Sequence, residues 1–497
     1  MSGKQVSQYT KEWVLGAESE YRFELDPNAS LAIRLMRGRA EIFGAELAEG
    51  KTYLFGFECK AAVYTWQGCT LEVTGQPSTE YVSEETPMSA YANIHMALEK
   101  MRLRAQCVVN GSPPPPGDDD GNEPEPPRVL ILGPENSGKT SACKILSNYA
   151  VRAGQDWEPI YVNVDPSEGG WAIPGAISAA SVSAPLATAS PANPLGNAAT
   201  SAPSTLATNA LLPLVYWYGH SDTKRNPLLL ERLIRNLGDM VNERNEHDPS
   251  AQLGGIIVDT PSSFASSSLV SGADHRHMLI RACVDAFKIN VILVVGHEKL
   301  NVEMQRTFGN RMHVVKIPKS GGVVELDLQY RSRIQRYQMH NYMYGQAFTP
   351  PEGLGLMIKG TPGGESALEE HLAPSSVVIS MDDMAIYRIG EESMAPSSAL
   401  PIGATRTVSE MVPVKLDTAM PGSRLHNTLI ALMAQQNKPD EHERYDEEIL
   451  DMTVAGFLAV TGVDIKNRKL TVLSPNQAIS FTGRTAIAGS LEWSEQQ

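Results

Sequence analysis

Eight consecutive residues, Gly133-Pro134-Glu135-Asn136-Ser137-Gly138-Lys139-Thr140, carry the chemistry most readily read from this chain. They fit the phosphate-binding pattern G-x-x-x-x-G-K-[ST] without a mismatch. The glycines let the backbone turn its N–H groups inward toward phosphate oxygens, and a helix N-terminus behind them adds partial positive charge. In that setting Lys139 is expected to reach the β- and γ-phosphates, and the Thr140 hydroxyl to hold Mg²⁺. A chance Gly-rich turn is the bland alternative, and the flanking residues decide against it. An apolar run at 128–132 reads as a buried strand, and Ala142, Ile145, Leu146, Tyr149 and Ala153 follow at helical spacing. Strand, loop and helix are the context that this motif requires.

Two acidic residues end other apolar runs. Asp259 closes 255–259 and has the position of a carboxylate that holds Mg²⁺ directly or through water; Asp259-Thr260-Pro261 also suits a simple turn. Asp165 closes 160–164 and is placed as a general base toward an acceptor hydroxyl or as an outer metal ligand, with a strand-end turn before Pro166 as the alternative. The segment 318–322, PKSGG, is either a second phosphate-facing loop or a connector. After it, Arg331, Arg333 and Arg336 stand among Tyr330, Tyr337 and Tyr342, as in a lid over a nucleotide or a solvated amphipathic helix. Trp217 reads as core packing rather than a base-stacking platform, and no Ser/His/Asp or Cys/His nucleophile pattern is supported.

The elements that position these residues predict a multidomain chain. Residues 19–82 alternate in short strands with turn signals at 26–28 and 49–51, pointing to an N-terminal β-sandwich. Tyr91, Ile94, Ala97, Leu98 and Met101 then give a connecting helix, so the first domain spans 1–109. The Pro- and acid-rich stretch 110–127 is an exposed linker. Residues 128–351 alternate strands with amphipathic helices, which predicts a P-loop α/β domain with a mostly parallel sheet. Its ligand is expected at the strands' carboxyl ends. Residues 176–212 are Ala/Ser/Pro-rich and read as a low-complexity insertion. Residues 352–497 predict a small C-terminal α+β domain, with a helix over 425–433 and a charged, solvated loop over 438–448.

Composition narrows the partners. Of 497 residues, 42% are hydrophobic and 20% charged, which are globular values. The net charge of -15 argues against a broad non-specific groove for nucleic acid, so any RNA contact is expected to be local or through partners. Five scattered cysteines without C-x-x-C spacing predict reduced thiols inside a cell and no zinc site. The first residues, MSGKQVSQYTKEW, have no apolar core of a signal peptide, and no apolar run is long enough to span a membrane.

The P-loop, Ile173-Pro174-Gly175, Pro213-Leu214-Val215-Tyr216 and PKSGGVVE at 318–325, taken together, resemble one family. So do Ala40-Glu41-Ile42-Phe43-Gly44, Tyr81-Val82-Ser83 and Leu470-Thr471-Val472-Leu473-Ser474-Pro475. That family is the Clp subunit of pre-mRNA cleavage and polyadenylation factor IA, whose animal relatives are polyribonucleotide 5′-hydroxyl kinases. The likeness omits only the linker and the 176–212 insertion. It implies bound ATP and Mg²⁺, with Asn136, Ser137, Gly138, Lys139, Thr140 and Ser141 on the phosphates. It also implies that Glu20 and Lys60, which local spacing does not single out, close over the nucleotide from the sandwich. The implied setting is the nucleus, with other 3′-end processing factors and a cleavage-factor scaffold subunit that contacts RNA polymerase II as partners.

The departures bear on activity. Where active kinases of the family carry T-C-G-W after the strand, with a Trp that stacks on RNA, this chain has Thr260-Pro261-Ser262-Ser263, and Phe264 one place later. Where they carry V-G-Q-G after Asp165, it has Pro166-Ser167-Glu168-Gly169, and where an Arg follows PKSGGVVE it has Leu326, while Arg331 matches a second lid arginine. The resemblance therefore implies a subunit required for endonucleolytic cleavage in polyadenylation-dependent 3′-end formation, with structural rather than catalytic ATP. An active polynucleotide 5′-hydroxyl kinase, with Asp165 as base and Arg331 on the lid, is the alternative.

Overall fold

A computed structural model describes residues 10–56, 58–113, 124–186, 190–191, 195, 213–266, 275–347, 351, 369–371, 374–389, 411–417, 424–434, 446–475 and 481–494. The N-terminal strands form two facing sheets. One has four strands in the order Thr10–Leu15, Cys69–Gly75, Leu31–Gly38, Thr52–Phe55, and the other five, with Ser19–Glu24 between Lys60–Thr65 and Thr79–Ser83. Alternate residues of the two sheets (Tyr21, Phe23, Leu31, Ile33, Leu35, Val63, Leu71, Val73) meet in one apolar core.

The helix Met88–Val109 leads from this sandwich to a seven-stranded central sheet. Five of its strands are parallel, with Arg128–Leu132 in their middle, flanked by Ile256–Asp259 and Val291–Val295, and Ile160–Asn163 and His313–Ile317 outside them. From Arg128–Leu132 the chain crosses to Ile160–Asn163 on one side, whereas from the adjacent Ile256–Asp259 it crosses to Val291–Val295 on the other. The crevice for a ligand therefore opens at the carboxyl ends of these two neighbouring strands. Side chains alternate across the strand: Val129 and Ile131 pack under the phosphate-loop helix Lys139–Arg152 and Met88–Val109, whereas Leu130 and Leu132 face the helices Pro227–His247 and Arg276–Ala286.

Two further strands, Ala176–Ser181 and Leu214–Trp217, extend the sheet antiparallel to their neighbours. The first corrects the expectation of an insertion starting at 176. Ala176–Ser181 is buried at all six positions, because small side chains let it sit flat beneath its covering layers. Residues 187–189, 192–194 and 196–212 of that stretch lie outside the described residues, and Leu186 and Leu195 are core residues.

The C-terminal segment also differs from expectation. Thr428–Met433 is a strand in a seven-stranded sheet, paired with Val454–Asp464 and Arg484–Glu492, where a helix was expected. All six residues are buried on both faces. Leu, Ala and Met favour helix locally, but a short apolar run without a polar face is satisfied only as a central strand. Among the described residues this part holds strands and the single 3₁₀ turn Asp446–Asp451, and no α-helix; residues 438–445 of the expected charged loop lie outside them. Its sheet packs against the central domain: the Trp217 ring lies 5.1 Å from Phe457, and Arg232 binds Asp451 through Nε and Nη2 at 2.7 and 2.6 Å. Trp217 is core, as its sequence context predicts.

The sandwich is fastened to the central domain by direct contacts. Arg152 donates to the Glu41 carboxylate at 2.7 Å and to the Gly44 carbonyl at 2.6 Å, and the Tyr149 hydroxyl donates to Glu41 as well. Asn148 donates to the Phe43 carbonyl at 2.8 Å, and the fully buried Arg102 to the Gly254 carbonyl at 3.0 Å. All of these lie on the far end of the phosphate-loop helix or on the connecting helix, so the joint is made away from the phosphate loop and does not depend on a ligand.

Candidate nucleotide-binding site

The phosphate loop takes the shape its motif demands. Gly138 caps the helix Lys139–Arg152 in the left-handed region, at φ 87°, where a side chain would be strained and would meet Val323 at 3.3 Å. Lys139, Thr140 and Ser141 form the first helical turn, so their N–H groups have no intrahelical partners and face the crevice. Lys139 is buried, and its Nζ donates to the Pro134 carbonyl at 3.1 Å, which folds the charge back over the loop.

A cavity of about 390 Å³ lies above this loop, a suitable size for a small organic ligand. The floor is Asn136 to Ser141. One wall comes from the sandwich, with Glu20, Arg22 and Lys60, and the roof is Tyr330 and Arg331 of the helix Leu328–Tyr344. Asp165, Glu168, Ser320, Gly322 and Leu326 complete the lining. The structure thus brings together all six loop residues with Glu20, Lys60, Asp165 and Arg331, and the segment 318–322 faces the cavity through Ser320 and Gly322. Asp259 lies behind the lining, beneath Thr140.

Each charged group is held in place. The buried Glu20 carboxylate accepts from Arg22 Nε at 2.5 Å and from the Thr86 hydroxyl at 3.0 Å. Lys60 pairs with Glu24 at 2.5 Å, and its ammonium lies 5.7 Å from the Tyr330 ring centre. Arg331 donates to Asn136 Oδ1 at 2.7 Å and pairs with Glu135 at 2.9 Å, so the roof touches the phosphate loop itself. Asp165 Oδ1 accepts from the Ser167 N–H at 2.9 Å and from its hydroxyl at 2.6 Å, closing an Asx turn. Gly322 passes under the Arg22 guanidinium so closely that an added Cβ would lie 2.6 Å from Nε.

The acidic residues fit a hard divalent cation beside the loop. Asp259 Oδ2 accepts from the Tyr161 hydroxyl at 3.0 Å, while Oδ1 is buried without a hydrogen-bond partner. Burial raises the Asp259 carboxyl above its ordinary value despite the Thr140 hydroxyl, the Lys139 charge and Tyr161, which favour the anion. Glu168 is pushed up to about 7 by burial first, then by Asp165 and Asp259, and accepts from the Thr140 hydroxyl at 3.3 Å. An unpartnered buried carboxylate oxygen next to a helix-start hydroxyl is a donor set for a cation that keeps water and phosphate ligands. Among the described residues no group of three or more His, Cys, Asp or Glu side chains could hold a metal alone.

Several lining residues escaped sequence reasoning as site residues, chiefly Arg22, Tyr91 and Lys144. Lys144 had a usable signal. It falls four residues after Thr140, on the helix face that carries the motif into the cavity. It is buried with its ammonium 4.4 Å from the Phe43 ring centre, and burial lowers its pKa to about 7. Folding therefore favours the neutral amine over a pH range where the unfolded chain still binds the proton. Stability from this site is absent below about pH 7 and grows as pH rises toward the ordinary lysine value. Lys144→Met is expected to flatten that rise, removing about 2 kcal/mol of stability gain between pH 7 and 9. Urea unfolding of both proteins at the two pH values checks this.

Strand order, loop and crevice define the central domain as a P-loop nucleotide-binding domain. The family described as the mRNA cleavage and polyadenylation factor CLP1 P-loop matches residues 133–345. The N-terminal beta-sandwich domain of polyadenylation factor matches 14–105, and the pre-mRNA cleavage complex II protein Clp1 family matches 372–495. The chain is 65% identical over 486 residues to the mRNA cleavage and polyadenylation factor CLP1 of Laccaria bicolor, covering 98% of each. It is 35% identical to that of Mycosarcoma maydis, covering 97% of this chain and 98% of that one. The chain belongs to the Clp1 family of mRNA cleavage and polyadenylation factors. Its fold matches a solved structure of Clp1p in complex with Pcf11p at a TM-score of 0.74, with 23% identity and 97% and 98% of the chains covered. A second, of an extended Pcf11p–Clp1p interface and the basis of ATP loss in a point mutant, matches at 0.75 with 24% identity, covering 97% and 99%. Among the described residues no helix is long and apolar enough to cross a membrane.

Proposed function

We propose that this protein is an ATP- and Mg²⁺-binding subunit of the nuclear machinery for pre-mRNA 3′-end cleavage and polyadenylation, and that its nucleotide fixes the joint between domains without being turned over. The observation that carries the reading is the shared cavity. Glu20 and Lys60 approach from the sandwich, Asn136 to Ser141 from the central sheet, and a ligand spanning them touches both. Thr140 and Asp259 would hold the Mg²⁺ ion, which neutralises phosphate charge when bound. Lys139 would turn from the Pro134 carbonyl to the β- and γ-phosphates. The names of the relatives, and the pairing of Clp1p with Pcf11p in a solved structure, support a 3′-end processing factor as partner, which on this reading is the scaffold subunit that also contacts RNA polymerase II. Because Glu41, Arg152 and Arg102 already join the domains, ATP is expected to tighten a joint rather than create it.

The direct test is to purify the protein without added nucleotide and identify what is released on denaturation; an empty protein that ATP does not stabilise overturns the reading. A second test addresses the joint. Glu20→Ala combined with Lys60→Ala is expected to weaken co-purification with the scaffold subunit about tenfold while the chain stays folded. Unchanged scaffold binding by nucleotide-free protein would mean that ATP does not shape the partner surface.

A further inference from the structure

Two residues outside the cavity hold its roof to its wall. Glu58 stands at the turn before the strand Lys60–Thr65, in a left-handed conformation at φ 59° that a glutamate seldom adopts. Its carboxylate is buried and accepts two parallel bonds from Arg333, from Nε and Nη2 at 2.8 Å each. Its backbone carbonyl accepts from the Tyr330 hydroxyl at 3.2 Å. One residue of the sandwich is thus gripped at two points, by side chains three positions apart on the helix Leu328–Tyr344.

Neither Glu58 nor Arg333 lines the cavity, but their neighbours do. Cys59 and Lys60 follow Glu58 directly, and Tyr330 and Arg331 lie on the turn of helix before Arg333. The Lys60 ammonium meets the Tyr330 ring, and Arg331 reaches across to Glu135 and Asn136 of the phosphate loop. The roof is therefore fastened on one side to the phosphate loop and on the other to the sandwich. Further along the helix Gln335 and Gln338 donate to the Ser167 and Glu168 carbonyls at 3.0 and 2.9 Å. Of these polar fastenings the Glu58–Arg333 pair is the one whose two residues both lie outside the cavity lining. A forked arginine–carboxylate pair with one partner desolvated is the kind of contact whose loss appears mainly in dissociation rates.

We infer that Glu58 and Arg333 form a latch that holds the lid helix shut over the nucleotide and sets the rate at which nucleotide leaves. This rests on the nucleotide-binding reading above and adds a positioning pair that acts through Tyr330, Arg331 and Lys60. The strained backbone at Glu58 fits such a role, since it aims the carboxylate at the helix and is retained only where the surroundings enforce it.

The test uses the full chain and a fluorescent ATP analogue displaced by excess ATP in a stopped-flow instrument. Arg333→Ala is expected to speed release at least about tenfold, with Arg333→Lys intermediate, because a lysine keeps the charge but not the fork. Glu58→Gln should speed release as well, and its combination with Arg333→Ala should add little, since both changes open the same contact. Circular dichroism melting without nucleotide reports whether each variant is folded, and Arg333→Lys, altered on the half-exposed side of the pair, keeps the test open if Arg333→Ala is not. Release within twofold of wild type in folded Arg333→Ala and Arg333→Lys, with the wild type binding normally, overturns the latch alone. Wild-type protein that binds no analogue overturns the nucleotide reading and the latch with it.

Discussion

Lys139→Ala is expected to strip the protein of nucleotide: ATP that accompanies the wild type through purification should be missing from the variant. Three features of Lys139 make its loss decisive. It is buried, its ammonium lies within the phosphate loop, and its charge offsets the neighbouring carboxyl groups of Glu168 and Asp259. The neutral alanine also removes a charge that favours the Asp259 anion, so the cation is weakened together with the phosphates. At free ATP 100 times its dissociation constant, binding stabilises the folded form by about 2.7 kcal/mol. For a domain of this size that corresponds to roughly 5 to 10 °C in melting temperature. The wild type should show this upward shift on adding ATP and Mg²⁺, and the variant none. Equal shifts in both proteins would mean that the loop does not hold the phosphates.

Much of this site was legible in the sequence because its central part is local. Gly133 to Thr140 needs only one strand, one turn and one helix, and each announces itself within about twenty residues. Asp165 and Asp259 were legible for the same reason, as polar ends of buried parallel strands. Glu20 and Lys60 were reached through family resemblance alone. They sit mid-sheet in a separate domain, and only packing around Glu41, Tyr149 and Arg152 brings that sheet to the crevice. Glu58 was not legible at all, since its role depends on a left-handed turn meeting a helix 275 residues away. The strands Ala176–Ser181 and Thr428–Met433 were misread because composition there reports side-chain size and helix preference, whereas burial on both faces decides the structure. Phe264 is the instructive case at the site: its position beside a missing tryptophan suggests a substitute platform, yet it is 1% exposed within the central core.

With ATP, Mg²⁺ and an RNA oligonucleotide bearing a 5′-hydroxyl, the protein is expected to transfer no phosphate above a Lys139→Ala control. The geometry removes the two supports that a kinase of this family would need. A base platform is lacking where the resemblance would place one: Phe264 is interior, and Ser263 is turned to the Thr223 hydroxyl at 2.8 Å. Base–aromatic stacking is worth roughly 1–3 kcal/mol, so an acceptor strand would be held weakly and without register. The second support is charge on the transferring phosphoryl group. Leu326 lines the cavity where the resemblance implies an arginine, and Arg331 is engaged by Asn136 and Glu135. A lid arginine is worth about 10³ to 10⁵ in rate, so the leucine alone would put transfer near the control. Leu326→Arg tests the account from the other side: it restores the missing charge in a cavity that already binds the nucleotide, and should raise labelling above wild type only if acceptor RNA reaches the site. Robust labelling by the unaltered protein would show that Arg331 suffices, and would make the protein a polynucleotide kinase.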